Sequence, residues 1–576
     1  MSEQKTIQEQ PLTKKSISGA TAVVQSLLEE QVDTIFGYPG GAIMPVYDSL
    51  YHFKEELNHI LTRHEQGAIH AAQGYARVTG KVGVCMVTSG PGVTNCITGL
   101  ADAYIDSTPL ICISGQVSSQ FLGTDAFQET DVVGISMPVT KWNVQITDAN
   151  DIPAAFAKAF YIARSGRPGP VLIDITKDAQ FQSFDFAYEP CELVQGYAPQ
   201  PEIDTSAIQE AVTLINEAKK PMILFGQGVI LADAKEEFKA FVEKSGIPSA
   251  WTILGLSALD HDHKLNVGML GMHGNYAPNK LTNDCDLIIA IGMRFDDRVT
   301  GDAKRYAENA KVIHLEVDPA EINKIIDADV PIIGDCKKSL PLLTAAIEKR
   351  DHDSWHNTFK ALHEEEVKEV IYDELYPSEE QDISMGEVIR MLSEKTNGEA
   401  IIVTDVGQHQ MVAQRYYKFT KWNSNVTSGG LGTMGFALPA AIGAKIGKPE
   451  RLVVAVIGDG GFQMTIQELG TIFQEKTDVK ILILNNEFLG MVRQWQELFF
   501  EKRYAFTTMI NPDFQTIAKG YHIPAEKVTE RKDLASAIDR FISNKESCLL
   551  EVLVGKENNV FPMVASGSSV SEIRLK

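Results

Sequence analysis

Short runs of β-branched and aliphatic residues end in glycine turns and give way to stretches of helical character along the whole chain. This alternation constrains the fold more than any other feature, because strand, helix and returning strand is the pattern of parallel sheets covered on both faces. The first third contains VGVCMVTSG (82–90), PLICISGQ (109–116) and PVLIDIT (170–176). The last third contains AIIVTDVG (400–407), LVVAVIGDG (452–460) and VKILILNN (479–486). Spacing agrees as well as order, with 28 positions from Val82 to Leu110 and 28 from Leu452 to Lys480. Common descent accounts for this, and so does the general likeness of one βαβ unit to another. PMILFGQGV, CDLIIAIGMRF and KVIHLEVDP give the middle third a sheet of its own.

The predicted fold class is therefore α/β, with three doubly wound parallel-sheet domains. A chain of 576 residues exceeds one hydrophobic core and accommodates three. Polar, proline-containing stretches at CELVQGYAPQPEI and around ELYPSEEQ divide it into 1–190, 204–350 and 378–560, with a tail at 561–576. The first dozen residues are expected to be disordered, and the final SGSSVSEIRLK to be mobile until something covers it. A net charge of −23 repels phosphate backbones and anionic lipid, which argues against nucleic-acid and membrane-surface partners. Seven cysteines without CxxC pairing suit buried thiols in a reducing compartment. MSEQKTIQEQPLTKKS has neither a signal-peptide core nor an Arg-rich transit character, so a cytoplasmic location is expected.

The most specific motif is GDGGFQMTIQELGTIFQEKTDVKILILNN (458–486). One strand delivers Asp459 at its carboxyl end, Gly460 and Gly461 let backbone amides approach an anion, and a helix begins there. The next strand delivers Asn485 and Asn486. Parallel strands end at the same edge, so Asp459 and Asn486, 27 positions apart, can converge on one ion. Carboxylate and amide oxygens beside phosphate favour magnesium over a soft metal. A plain βαβ turn is the alternative.

This segment resembles the diphosphate and magnesium signature of thiamine diphosphate enzymes. The resemblance implies that Asp459, the side chain of Asn486 and the backbone carbonyl of Phe488 hold the metal. Gly460, Gly461, Leu489, Gly490 and Met491 would then cradle the cofactor. In such enzymes a glutamate in an apolar pocket hydrogen bonds the aminopyrimidine ring and promotes its imino tautomer. Glu65, at the head of RHEQGAIHAAQGYAR, has that company. A helix N-terminal acid favoured by the macrodipole is the other reading. Met434, between glycines in SGGLGTMGFALPAAIGA, would wedge under the cofactor unless it merely fills core. Gly432, and Gly407, Gln408 and His409 of GQHQ, would add contacts.

Over almost the whole chain the resemblance narrows to the acetohydroxyacid synthase (biosynthetic acetolactate synthase) catalytic large subunits. GYPGGAIMPVYD, RHEQGA, TSGPGVTN, GTDAFQE, SGRPGPVLID, GMHG, RFDDRVTG, GQHQM and GMVRQWQ stand in family order. It implies decarboxylation of pyruvate to a hydroxyethyl carbanion, which adds to pyruvate or 2-oxobutyrate and gives 2-acetolactate or 2-aceto-2-hydroxybutyrate. Gln128 and Gly41 would lie near the reacting carbon, with Phe127 lining the channel. Arg298 would hold the acceptor carboxylate with its planar fork, and Trp495 would shape the pocket for the alkyl group. A surface ion pair with Asp296 or Asp297, and a core aromatic, are the respective alternatives.

By the same resemblance the middle domain is a Rossmann-like holder of FAD. It assigns Gly226, Gln227, Gly228, Thr252, Gly271, Met272, His273, Gly292, Arg294, Asp296, Arg298, Glu316, Gly334 and Asp335 to the flavin, with Arg167 reaching in from the first domain. FGQG alone is weak evidence, since it lacks the full GxGxxG spacing. Met293 stands where the family often has a small residue, and Phe488 and Leu489 precede Gly490 where an acidic residue and Gln are commoner. A homodimer or tetramer with the site shared between chains, and a separate regulatory small subunit, are further implications. Pyruvate oxidase is the competing activity, opposed by RFDDR together with GMVRQWQ.

Overall fold

The computed structural model describes residues 15–576; the expected disorder of the first dozen residues lies outside the described residues. Three six-stranded sheets follow one another along the chain, and every strand pairing within them is parallel. In the first sheet the strands lie in the order Asn58–Leu61, Thr34–Gly37, Gly83–Val87, Leu110–Gln116, Pro170–Thr176, Trp142–Ile146. In the third the order is Asn425–Thr427, Ile401–Thr404, Val453–Gly458, Lys480–Asn485, Cys548–Leu553, Ala525–Val528. Numbered by appearance within each domain, both run 2-1-3-4-6-5, so the likeness seen in the sequence extends to topology. The strands begin 27 positions apart in both domains, Gly83 to Leu110 and Val453 to Lys480, so the equal spacing is kept, while the register differs by one, pairing Gly83 with Leu110 and Val454 with Lys480.

The middle sheet runs Asn266–Met269, Ser249–Trp251, Pro221–Phe225, Leu287–Ile291, Lys311–Glu316, Val330–Ile333, or 3-2-1-4-5-6. Central strands such as Pro170–Thr176 and Val453–Gly458 are buried at every position, which is why they read as continuous apolar runs. Six cysteines are buried free thiols, and Cys191 is half-buried.

In each sheet the chain leaves two neighbouring strands in opposite directions, which opens a crevice beyond their carboxyl ends. The pairs are Thr34–Gly37 with Gly83–Val87, Pro221–Phe225 with Leu287–Ile291, and Ile401–Thr404 with Val453–Gly458.

The first and third domains meet along two helices, Glu65–Thr79 and Ala437–Gly447. They pack backbone against backbone. A Cβ on Gly74 would lie 1.9 Å from the Ala440 carbonyl oxygen, and one on Gly443 would lie 1.8 Å from that of Ala71. The small residues after Glu65 thus serve helix contact.

The final segment, expected to be mobile until something covers it, is covered. Val564 N donates to Met272 O and Asp302 N to Ser568 O, while Val570 is buried among middle-domain residues. Covering that apolar surface holds the segment down. Among the described residues no helix is long and apolar enough to cross a membrane.

Candidate active site

Chemistry gathers at the three crevices. In the third domain Gly458 ends its strand and Asp459 begins the next helix, so the carboxylate sits at the sheet edge. It is buried there, and desolvation pushes its pKa up to about 6. Asn511 Nδ2 donates to Asp459 Oδ2 at 2.7 Å and to Asn485 Oδ1 at 3.1 Å. Asn486, from the neighbouring strand end, donates through Nδ2 to Gln408 Oε1 at 3.1 Å. Its Oδ1 accepts the Phe488 amide at 3.3 Å, and Asp459 follows the end of the adjoining strand, bridged by Asn511 to Asn485.

Bare glycine backbone and a buried imidazole nitrogen at this edge suit a diphosphate. The Cβ positions of Gly490 and Gly460 face Gln408 Oε1 at 2.2 Å and Leu489 Cδ2 at 2.7 Å, so only the ends of flexible side chains cover the backbone here. His409 is fully enclosed and its pKa is driven down to about 3 by burial, so the ring is neutral. Among the described residues its Nε2 has no partner, a buried polar atom that a ligand would satisfy. Met434 is half-buried, with Cε 3.8 Å from the position a Gly460 Cβ would take. That places it between the glycine turn and an open cavity, as a wedge requires, rather than in the core.

In the middle domain the helix Gln227–Leu231 starts directly after its strand, and Gly292 ends the neighbouring one with φ +55°. A Cβ on Gly228 would lie 2.6 Å from Gly292 Cα, so the two turns close on each other through bare backbone. A cavity of about 930 Å3 opens beyond them. Every residue expected at the flavin lines it except Gly226, which packs behind against Gly292 and Met293. Among the described residues neither ring nitrogen of His273 makes a hydrogen bond of good geometry, although the Val560 and Pro562 carbonyls lie beside the ring, and burial lowers its pKa to about 4. Glu316 ends its strand with the carboxylate accepting the amides of Val317 and Asp318 at 2.9 and 3.1 Å; burial raises it to about 7. Arg167 reaches this wall from the first domain, donating to Glu321 Oε1 at 2.7 Å and Ser107 Oγ at 2.9 Å. Orphaned imidazole nitrogens and a glycine cradle fit a large polar cofactor such as FAD.

The same cavity continues into the third domain, where Gly407, Gly432, Met434, Met491 and Trp495 form its far wall. Arg298 and Trp495 therefore face one space. Arg298 is mostly exposed, with Nε 3.7 Å from Asp297 and Nη1 donating to Met272 Sδ at 3.6 Å. The Asp297 pair and the pocket position coexist. Trp495 is half-buried against Phe499 at the wall, not in the core.

Glu65 opens its helix at the first-domain crevice, half-buried, its Oε2 accepting Asn95 Nδ2 at 3.0 Å. Gly41 has open space on its side-chain face. Gln128 adopts φ +61°, a strained value for a residue with a Cβ, and its backbone lies over Gly90. Phe127 is 87% exposed. Among the described residues these four groups do not line the cavity that carries Met434, so one chain does not bring Glu65 to that wall. Nor does it supply the apolar enclosure expected around Glu65.

Sequence reading missed Asn95, Asn511 and Asp405. Asp405 is fully buried and accepts the amides of Gly435 at 3.0 Å and Ala437 at 3.1 Å, which holds the Met434 turn in place. Its position in TDVGQHQ, one residue past a strand, was the available signal.

Family models for three parts of thiamine pyrophosphate enzymes match the chain. They are the N-terminal TPP binding domain at residues 17–135, the central domain at 208–343 and the C-terminal TPP binding domain at 405–552. Among curated proteins, the acetolactate synthase large subunit of Corynebacterium glutamicum is 47% identical over 570 residues, covering 97% of this chain and 90% of that protein. The large subunit from Lactococcus lactis is 44% identical, covering 97% and 96%. The isozyme 2 large subunit of Escherichia coli is 44% identical, covering 97% and 100%.

Proposed function

The chain belongs to the family of acetolactate synthase large subunits, which are thiamine pyrophosphate enzymes, and from that premise we propose how its crevices divide the work. Its activity is to decarboxylate pyruvate and join the two-carbon unit to a second 2-oxo acid. Thiamine diphosphate, magnesium and FAD are the cofactors of that activity. Thiamine diphosphate supplies the nucleophilic carbon and the electron sink for decarboxylation.

Asp459, Asn486 and the Phe488 carbonyl hold the magnesium, and the backbone of residues 460–461 and 489–490 holds the diphosphate. Neutral His409 offers it Nε2. Met434 would pack against the cofactor's rings, with Asp405 keeping its turn fixed. Glu65 would hold and move a proton at its carboxylate, facing the aminopyrimidine. Gln128 and Gly41 border the reacting carbon, and Phe127 borders its channel. Arg298 pairs with the acceptor carboxylate, and Trp495 packs on its alkyl group. In the middle domain the glycine cradle, His273, Glu316 and Arg167 hold the flavin, which performs no net redox step in this reaction.

Glu65 and the Met434 wall reach opposite ends of one cofactor only if they come from two chains. A homodimer with two symmetric sites satisfies this. A separate small subunit, carried by the relatives' naming as large subunits, and a cytoplasmic location complete the reading.

The observation that carries it is the single cavity joining the middle-domain cradle to Met434, Met491, Trp495 and Arg298. Purified protein with pyruvate, thiamine diphosphate and magnesium, with and without FAD, is expected to release 2-acetolactate; acetyl phosphate or hydrogen peroxide as product sinks the reading. Replacing Trp495 with Leu opens the acceptor pocket, and should change the product ratio from competing pyruvate and 2-oxobutyrate by about tenfold or more. An unchanged ratio removes Trp495 from the pocket.

A further inference from the structure

Glu468 has no part in the chemistry above, yet its carboxylate is wholly buried against the start of the Glu65–Thr79 helix. It comes from the third domain, in the turn Ile466–Glu468 that follows the Asp459–Met464 helix. The Arg63 amide donates to both of its oxygens at 3.2 Å, and the Thr471 hydroxyl donates to Oε2 at 2.7 Å. Gly67, in the first turn of the helix, is bare where the carboxylate lies: a Cβ there would be 2.3 Å from Oε1. Arg63 is also gripped through its guanidinium, which donates to Gly470 O at 3.0 Å and Gln474 Oε1 at 2.9 Å. On the other side of Glu65, His64 Nδ1 accepts the Gln66 amide at 3.1 Å. The backbone is thus tied immediately before and after the glutamate.

A buried carboxylate is costly unless its partners compensate, and a hydrophobic side chain would fill the same seam more cheaply. What the charge offers here is a fixed anchor for the backbone just ahead of a helix N-terminus, where the macrodipole favours an anion. We propose that Glu468 is a positioning residue for the reaction, which fixes the backbone entering the Glu65 helix and so the direction in which Glu65 meets the cofactor's aminopyrimidine. This rests on the role given to Glu65 above.

The charged and titratable groups at the seam are Arg63 and His64 from the first domain, and Glu475, which faces Arg63, from the third. Burial pushes Glu468 up to about 7, opposed by Thr471, by the Arg63 amide and charge, and by the His64 backbone. The ionised form, with both oxygens free to accept, is present above that pH and lost as pH falls through it.

Glu468→Gln keeps the shape and one acceptor while removing the charge. It should lower kcat for acetolactate formation about tenfold, since small misplacement of a reacting group is expensive, with KM for pyruvate within about twofold. The acid limb near pH 7 should also disappear from its profile. Gly67→Ala, which drives a Cβ against the carboxylate, should lower kcat similarly. Added to Glu468→Ala, it should cost nothing more, because the clash is gone. That pair keeps the test alive if Glu468→Gln fails to fold, as judged by circular dichroism and thermal melting.

A wild-type kcat and pH profile in Glu468→Gln, or full additivity of Gly67→Ala with Glu468→Ala, overturns the proposal. Glu65→Gln is assayed alongside. If it is active, the role of Glu65 itself is wrong; if it is inactive while Glu468→Gln matches wild type, only the positioning role falls.

Discussion

Glu65→Gln should lower acetolactate formation at least about a hundredfold, the scale on which positioned proton transfer contributes to catalysis, while leaving fold and cofactor retention intact. The amide keeps the size of the side chain and accepts a hydrogen bond, but it cannot exchange a proton. Glu65 lies at a helix start, half-buried, with Asn95 as its neighbour, so the substitution breaks no packing. The same variant tests the shared site. Coexpressed with Asp459→Asn chains, themselves inactive, it should regain activity, because each mixed dimer contains one site with Glu65 from one chain and Asp459 from the other. Random assembly makes about half the dimers mixed, each with one of two sites intact, so recovery should approach a quarter of wild type. No recovery in demonstrably mixed dimers would place both residues of a site on one chain.

Asp459→Asn should be the second large effect, and its signature is in stability as well as rate. Removing the only carboxylate among the expected metal-holding groups should weaken retention of magnesium and thiamine diphosphate by about a hundredfold or more, with activity falling accordingly. In the cofactor-free protein Asp459 is a buried carboxylate whose pKa is raised by desolvation, with Asn511 its one side-chain hydrogen-bond partner among the described residues. Neutralising it should therefore leave the cofactor-free protein at least as heat-stable as wild type. The rise in melting temperature on adding magnesium and thiamine diphosphate should vanish, since a ligand stabilises only the state it binds. A variant that keeps the full ligand-induced rise would remove Asp459 from the metal.

Much of the architecture was legible because parallel central strands are buried on both faces. Each apolar run read as a strand contains one, Pro170–Thr176 residue for residue. Edge strands escaped notice. Asn58–Leu61, Trp142–Ile146 and Ala525–Val528 are partly exposed and carry polar residues, so they lack a continuous apolar run. What covers the tail was not legible for a related reason: its few apolar residues meet a surface hundreds of positions away, which composition cannot reveal.

The site divides along the same line. Asp459 and Asn486 were legible because a strand end, a glycine turn and the next strand end lie within one βαβ unit, and parallel register alone brings them together. GQG was weak in the sequence and became convincing only when Gly228 was found against Gly292, a contact between two strands separated in the chain. Asp405 and Glu468 gave little signal, since an acid past a strand or inside IQELG reads as ordinary polarity until its distant amide partners are known.

The sequence by itself determined the three parallel sheets, the kinship of the first and third, and the residues at the ends of their strands, because burial and strand register follow local pattern. Only the tertiary structure decided what those ends face. The helix contact through Gly74 and Gly443 sets the first domain on the third, the middle cradle opens onto Met434 and Trp495, and Glu65 is left outside that cavity. These depend on backbones approaching to van der Waals distance between segments hundreds of residues apart, and no local periodicity records such an approach.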